Sequence, residues 1–346
     1  MAIFDRFFND VGVDLGTANS VIYLRNRGIV INEPSFAAIN NKTNQILAVG
    51  EEAKRMMGRT PTNISVIRPL VNGVISDFEM ARELLRQLLK RLGGSVFSVR
   101  RAVVGIPNNL TEVERKSVED AVLNAGVSKV YLVESPIASA LGAALPIGAP
   151  TASFIVDIGG GTTDIAVITM DGTVVSRTLK VAGDRFNEEI MRFVRDEFKL
   201  AIGEPTAEAI KIAVGSAVPW DERLEIAVRG RDYSTGLPKE VMVKNTHVRA
   251  AVAKPLRTIV DTIREVITMT PPELTGDMLK QGIFLCGGGA MLRGLDQLIH
   301  KETGVITTVT EDPLTCMPRG LGRIVDNFEH YRGILDNPLR PLIVNL

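Results

Sequence analysis

The chain has 346 residues, 45% hydrophobic and 23% charged, with 40 basic and 40 acidic side chains and a formal net charge of zero. A single core stops growing near ~250–300 residues, so two domains are expected. Balanced charge excludes a bulk nucleic-acid binder, which needs a basic surface, and leaves little repulsion against self-association.

The apolar run Val11-Gly12-Val13 leads into Asp14-Leu15-Gly16-Thr17-Ala18-Asn19 and out through Val21-Ile22-Tyr23-Leu24. This reads as strand, tight glycine turn, strand. A short strand over 28–32 follows, then Glu33-Pro34-Ser35 and a mixed segment to about Pro69. Asp77 caps a predicted helix whose Met80, Leu84, Leu85, Leu88, Leu89 and Leu92 recur at helical spacing until Gly93 and Gly94 end it. A strand over 102–106 stops at Pro107, and Thr111 with Glu114 forms a capping-box pattern for a helix ending near Gly126. A strand over 130–133 leads to Glu134-Ser135-Pro136 and an Ala-rich helix to Leu145.

The pattern then restarts at Ala152. Phe154-Ile155-Val156 leads into Asp157-Ile158-Gly159-Gly160-Gly161-Thr162-Thr163, and Ile165-Ala166-Val167-Ile168 leads out. An Asp171-Gly172 turn and a strand to Val181 come next, with helices over 187–198 and 207–214 and short strands over 219–244. A helix over 246–269 stops before Pro271-Pro272. A strand over 282–286, ending in Cys286, opens into Gly287-Gly288-Gly289 and a helix from Ala290.

Asp157 repeats Asp14, and Gly159 repeats Gly16, 143 residues later. Glycine lets the backbone approach a ligand closely. Successive turn amides form a concave anion site, and Thr17, Asn19, Thr162 and Thr163 add side-chain donors. Asp14 and Asp157 are unusual ends for apolar strands. A carboxylate repels a phosphate unless a cation lies between them, and Mg²⁺ with retained waters suits that position. The pair therefore predicts a clamp on a Mg-nucleotide polyphosphate held between two domains. The strand–GGG–helix junction adds amides and a helix start for an adenosine or α-phosphate contact.

Three glycine sites in this order resemble the actin/sugar-kinase/heat-shock-ATPase superfamily. Within it, the chain is similar to the bacterial MreB family of actin-like cell-shape proteins. Asp14-Leu-Gly-Thr-Ala-Asn19, Gly28-Ile-Val-Ile-Asn-Glu-Pro-Ser35, Gly58-Arg-Thr-Pro61, Ile67-Arg-Pro69, Asp157-Ile-Gly-Gly-Gly-Thr-Thr163, Ala182-Gly-Asp184, Thr206-Ala-Glu208, Thr235-Gly-Leu-Pro238, Thr270-Pro-Pro-Glu-Leu274 and Gly287-Gly-Gly-Ala290 carry the resemblance. It implies an α/β, two-lobed actin-like fold: duplicated ribonuclease-H-like core domains with small inserted subdomains around a nucleotide cleft. By position, 1–36 with 70–143 form the first core and 37–69 its insert. Residues 144–183 with 253–346 form the second core, including a tail from about 327, and 184–252 form its insert.

The resemblance also implies ATP- and Mg-dependent polymerisation into filaments, as paired protofilaments, on the inner membrane. Gly16, Thr17, Ala18 and Asn19 then correspond to the first phosphate loop, and Gly159, Gly160, Gly161 and Thr162 to the second. Glu208, Ala209, Ile210 and Lys211, with Cys286, Gly287, Gly288 and Gly289, correspond to the adenosine side. Implied partners are the transmembrane shape and elongation proteins of the cell-wall synthesis machinery. One position departs from the family: Glu-Glu-Pro becomes Glu134-Ser135-Pro136. The second Glu is the residue linked to orienting the hydrolytic water. A serine hydroxyl is a poor base, so weakened ATP hydrolysis is expected, with Glu134 or a shifted water network as the competing explanation. Thr162, on the water side, is retained; Asp164 stands where many relatives carry Glu.

At the N-terminus, Ile3, Phe4, Phe7 and Phe8 would share one helical face opposite Asp5 and Arg6, a pattern suited to a membrane interface. Many copies on one filament would strengthen such binding; packing on the chain's own domain is the other reading. Val96 and Phe97 fall where some family members carry a second membrane-inserting loop. The tail over 337–346 is apolar and proline-punctuated, and either packs on the body or offers a strand to a neighbour. No run of ~18 apolar residues predicts a membrane span, and Asp5, Asn9 and Asp10 interrupt any signal-peptide pattern. Cys286 and Cys316 lack metal-ligand spacing, which fits a reducing cytoplasm.

Alternatives within the superfamily are a metabolic kinase, a heat-shock-type chaperone and a nucleotide-dependent membrane adaptor. A kinase needs a base for an acceptor alcohol, and no carboxylate beyond the two clamp residues offers one. A chaperone needs a peptide-binding domain of some hundreds of residues. The near-continuous family blocks argue against the adaptor.

Overall fold

The computed structural model describes residues 9–93, 99–220 and 224–336. Ile3, Phe4, Phe7, Phe8, Val96 and Phe97 lie outside the described residues, as does the tail over 337–346. Chain contacts divide the protein into two units. The first comprises Met1–Pro150, Ile168–Thr173 and Thr315–Leu346; the second comprises Thr151–Val167 and Val174–Leu314.

The first unit opens with β1 (Asn9–Leu15) and β2 (Asn19–Leu24), an antiparallel hairpin with Asp14 opposite Val21. Alternation buries Val11, Val13, Ile22 and Leu24. β3 (Gly28–Pro34) pairs with β2. β4 (Ala37–Asn40) lies between β5 (Ile46–Val49) and β6 (Ile64–Ile67) in a separate sheet. With α1 (Glu51–Met56) it closes a small core of Phe36, Ala38 and Ala53. β7 (Leu70–Val71) and β8 (Val74–Ile75) meet at Asn72-Gly73, where both central residues take positive φ, 51° and 76°. That is the primed hairpin turn for which Asn-Gly is suited.

α2 (Phe78–Lys90) starts where expected, the Asp77 side chain accepting from the Met80 amide at 3.1 Å, and buries Leu84, Leu85, Leu88 and Leu89. β9 (Val99–Ile106), α3 (Glu112–Asn124) and β10 (Lys129–Glu134) follow. The Thr111–Glu114 box is formed in both directions. α4 (Ser135–Gly142) stops short of Leu145 because Ala144 adopts a left-handed φ of 61°.

The second unit repeats this plan with β11 (Ser153–Ile158), β12 (Thr163–Thr169) and β13 (Gly172–Leu179), except that 168–173, the end of β12 and the start of β13, group with the first unit. α5 (Gly183–Phe198), β14 (Leu200–Ala201) and α6 (Glu204–Val214) come next. β15 (Glu225–Asp232) and β16 (Pro238–Lys244) form a hairpin, and α7 (Asn245–Met269) leads to α8 (Pro272–Gln281). The Pro271-Pro272 pair reads in sequence as a stop, yet Pro272 begins α8, at a position where a missing N–H costs nothing. After β17 (Ile283–Cys286), the helix expected from Ala290 is instead a short 3-10 turn, Gly288–Met291. Extended backbone at Leu292 and a left-handed Gly294 interrupt it, so α9 (Leu295–Thr303) begins later; β18 (Thr307–Val309) follows.

The two large sheets have one order: β3-β2-β1-β9-β10 in the first unit and β13-β12-β11-β17-β18 in the second. In each order, the third strand is parallel to the fourth and the fourth to the fifth. The duplication read in the two tips therefore extends through both sheets.

α10 (Cys316–Asp326) and α11 (Phe328–Tyr331) return to the first unit. Residues 315–336, placed by sequence position with the second core, group instead with the first unit. The reason is close packing of α10 on α4. A Cβ on Gly142 would run into the Cys316 carbonyl, and one on Gly320 into the Ala138 carbonyl. Tyr23 Oη donates to Asp326 at 2.7 Å, tying α10 to β2.

Candidate functional site

Each unit presents one glycine tip, and each is held by its carbonyls. In the first, the buried Ser35 hydroxyl donates to the Gly16 carbonyl at 2.6 Å, and the Ser35 amide donates to the Ala18 carbonyl at 2.9 Å. Ser20 Oγ lies 2.9 Å from Ser35 Oγ and supplies the proton there, since Ser35 has spent its own. In a planar trans peptide the carbonyl and the following N–H point opposite ways. The amides of Thr17 and Asn19 therefore face away from Ser35. Thr17 Oγ1 accepts from the Gly73 amide at 3.1 Å, which leaves its hydroxyl proton to donate. Asn19 Nδ2 donates to Asn32 Oδ1 at 2.8 Å. Asp14 sits on β1 between its register partners Val21 and Gly105.

The second tip follows the same logic with different partners. The Gly159 amide donates to the Thr162 carbonyl at 2.9 Å, closing the turn. The amides of Gly183 and Asp184, at the start of α5, donate to the carbonyls of Gly159 and Gly160 at 3.1 and 2.8 Å. The N–H groups of Gly160 and Gly161 are thereby aimed away from α5. Lys211, on α6, donates to the Gly183 carbonyl at 3.2 Å, which puts its ammonium beside this tip. Glu208 is half-buried and Ala209 exposed, while Ile210 is fully buried in the second core.

Asp157 pairs in register with the buried Cys286. A Cβ on Gly287, at φ +78°, would run into Asp157 Oδ1 and the Ile158 carbonyl, so only glycine permits this approach. Gly287 donates its amide to the Pro313 carbonyl at 2.8 Å. Behind the tip, Asp164 is buried; Thr178 Oγ1 donates to its Oδ1 at 2.5 Å and Thr162 Oγ1 to its Oδ2 at 3.3 Å. Burial raises its carboxyl to about 7 against the Thr178 hydrogen bond; the Asp157 charge adds to the rise and Thr162 opposes it.

In the first unit, Glu134 ends β10 and Ser135 is buried in the first turn of α4. Glu134 Oε2 accepts from Asn108 Nδ2 at 3.0 Å and from Thr173 Oγ1 at 2.6 Å. Sequence reasoning named the tips but not the groups that hold them: Ser35, Gly73, Thr178 and the 183–184 amides. Ser35 carried one usable signal, a serine after a proline at a strand end. The others carried none, because their partners are distant in sequence.

The MreB/Mbl protein family model matches residues 8–333. The chain is 45% identical to the cell shape-determining protein Mbl of Bacillus subtilis over 324 residues, covering 93% of this chain and 97% of that protein. It superposes on the crystal structure of MreB 5 of Spiroplasma citri bound to AMPPNP with a TM-score of 0.90 at 36% identity, covering 94% and 98% of the two chains. It superposes on the MamK double helical filament with a TM-score of 0.79 at 25% identity, covering 92% and 98%.

Proposed function

The chain belongs to the MreB/Mbl family and has the actin-like fold, and on that premise we propose that it is an ATP-binding cytoskeletal protein of cell shape. In this reading it polymerises into filaments on the inner face of the cell membrane and, with transmembrane elongation proteins, organises wall synthesis and rod shape. The observation that carries the reading is the pair of tips whose carbonyls are bonded inward and whose amides are aimed outward. Amides so fixed cost no reorganisation when an anion arrives.

The residues present fit a Mg-nucleotide. Gly287 leaves room at Asp157 Oδ1 that any other residue would fill, and Asp14 takes the matching place in the first unit. Both carboxylates suit Mg²⁺ held through water, which would neutralise polyphosphate charge. Thr17, Asn19 and the amides of Gly160 and Gly161 then bind phosphate oxygens, and Lys211 adds a cation beside the second tip. Glu208 and Lys211 on α6, with the Gly287–Gly289 turn, are assigned to the adenosine side.

Hydrolysis needs a water aligned with the terminal phosphate. Ser135 and Thr162 offer hydroxyls for that, and neither is an effective base. Glu134 Oε2 accepts hydrogen bonds from Asn108 and Thr173. Hydrolysis is therefore slow, and ATP filaments persist.

Phosphate release from Mg-ATP, measured alongside sedimentation on the native chain and on Ser135→Glu, tests this. The expected result is ATP-dependent sedimentation with little phosphate release, and faster release from Ser135→Glu. Equal release from both would overturn the role given to Ser135. Failure to sediment under any nucleotide would overturn the filament reading.

A further inference from the structure

We infer that Asn108 seats the water that hydrolyses ATP, with Glu134 fixing its side chain from behind, a role that rests on reading the protein as an ATP-dependent filament former.

The place follows from register. Asp14 on β1 pairs with Gly105 on β9, and Gly105 pairs with Val133 on β10. The three strands are parallel, so their carboxyl ends leave the sheet side by side, with β9 in the middle. Ligands of open α/β sheets lie off that edge. The first glycine tip begins at Gly16, just past β1. Pro107 and Asn108 follow the end of β9, and Ser135 follows the end of β10. All of these residues belong to the first unit. Neighbouring strands lie about 4.8 Å apart, so the strand before Asn108 is one spacing from the tip's strand and the strand before Ser135 is two, roughly 10 Å. The loop after β9 is thus the nearer of the two to a phosphate on the tip.

The side chain is set for an acceptor's task. Asn108 Nδ2 donates to Glu134 Oε2 at 3.0 Å, and Thr173 Oγ1 donates to the same oxygen at 2.6 Å. A carboxylate accepts and does not donate, so it takes the NH₂ end of the amide and turns Oδ1 the other way. Oδ1 is buried, and none of the described residues donates to it. A buried acceptor without a donor is costly, and in a native protein such a group calls for a use. A water beside the terminal phosphate supplies the missing donor.

The step asks for no base at Asn108. The water oxygen bonds to the γ-phosphorus while the bond from that phosphorus to the bridging oxygen breaks. The bridging oxygen leaves on ADP with the electron pair. One water proton stays on the new P–OH group and the other passes to a γ-phosphate oxygen, so phosphate departs as H₂PO₄⁻. Oδ1 holds one O–H of the water and so sets the direction of its lone pair. Catalysis of phosphoryl transfer is mostly positioning, which a carboxamide can supply. An amide that orients water without deprotonating it fits slow hydrolysis.

The test is single-turnover phosphate release from Mg-ATP by the full chain, with ATP affinity, ATP-dependent sedimentation and melting temperature measured on the same samples. Asn108→Ala removes the acceptor. Release is expected to fall roughly ten- to a hundredfold, while ATP affinity and sedimentation stay native. Asn109→Ala, at the exposed next position, releases phosphate at the native rate, which separates loss of the acceptor from disturbance of the loop. Glu134→Gln keeps the side-chain size. Its amide can meet either end of Asn108, so Oδ1 is turned away part of the time and release falls severalfold. Should Asn108→Ala fail to fold, this variant decides, and native release from it overturns the water seat. Native release from a folded Asn108→Ala overturns it too, and so does an equal fall in Asn109→Ala. Absence of ATP binding by the native chain overturns the underlying reading as well.

Discussion

Thr178 donates its hydroxyl proton to Asp164 at 2.5 Å, from the strand beside the second glycine tip. Through Thr162, the same carboxylate reaches the tip itself. Burial is the leading influence on Asp164 and lifts its carboxyl to about 7. In the unfolded chain an aspartate titrates near ~3.9. Between those values the folded protein keeps a proton that the unfolded chain has released. Stability therefore falls as pH rises through that window and levels off above about 7. Asp164→Asn is expected to remove this slope and to melt higher than the native chain above neutrality. Melting temperatures of both proteins across the window check it; a pH-independent difference would mean that Asp164 stays ionised in the fold.

Ser35→Ala removes one donor from the Gly16 carbonyl and the acceptor for Ser20. A buried polar group left without its partner costs about 1–3 kcal/mol. The loss falls on the first tip, so nucleotide affinity is expected to drop roughly tenfold, the equivalent of about 1.4 kcal/mol. Denaturant unfolding and ATP binding, measured together, separate the two effects. Unchanged affinity with reduced stability would make Ser35 a purely structural residue.

Lys211→Met keeps the bulk of the side chain and removes the ammonium beside Gly183. A charge-assisted contact to phosphate is worth more than a neutral one, so ATP affinity should fall by about tenfold or more while the melting temperature stays close to native. Titration with a fluorescent ATP analogue decides this, and native affinity would move Lys211 out of the site.

Two glycines in helices should respond in opposite directions. Gly320→Ala drives a methyl into the Ala138 carbonyl, where α10 meets α4. Overpacking of this kind costs about 1–3 kcal/mol or more. Gly276→Ala, in α8, meets nothing within 4 Å and should stabilise by up to about 1 kcal/mol through helix propensity. Unfolding free energies of the two variants give the comparison.

Acid should act through Asp10. Burial pushes its carboxyl up, but hydrogen bonds and charges from Arg101 and Arg100 outweigh that and hold it below the usual aspartate value. Its contribution is present above about 3.9 and is lost as pH falls through the lowered folded value. Asp10→Asn is therefore expected to destabilise the protein at neutral pH and to differ less from it in strong acid, as followed by thermal melts.

The α2 cap, the α3 capping box and both glycine hairpins were legible in the chain because each is a contest among neighbouring residues. Asp77 reaches Met80 within one helical turn, and Thr111 reaches Glu114 the same way. The halt of α4 at Gly142 and the 3-10 turn at Gly288–Met291 were not legible, since left-handed backbone at Ala144 and Gly294 decides them and neither position announces it. For the candidate site, the residue types at the tips were readable and their supports were not. Ser35 holds Gly16 across a sheet, and Thr178 reaches Asp164 from a neighbouring strand.

By itself the sequence determined the duplication: two Asp-x-Gly tips on apolar strands, built from short-range patterns that any folded context must respect. Tertiary structure alone decided that 315–336 joins the first unit, because Gly142 and Gly320 permit a backbone approach that no local preference encodes. It likewise decided that Asp10 lies buried under three arginines, since parallel pairing of β1 with β9 brings residues some ninety positions apart to one row. Local propensities act over a few residues, whereas register and close packing are set by the whole fold.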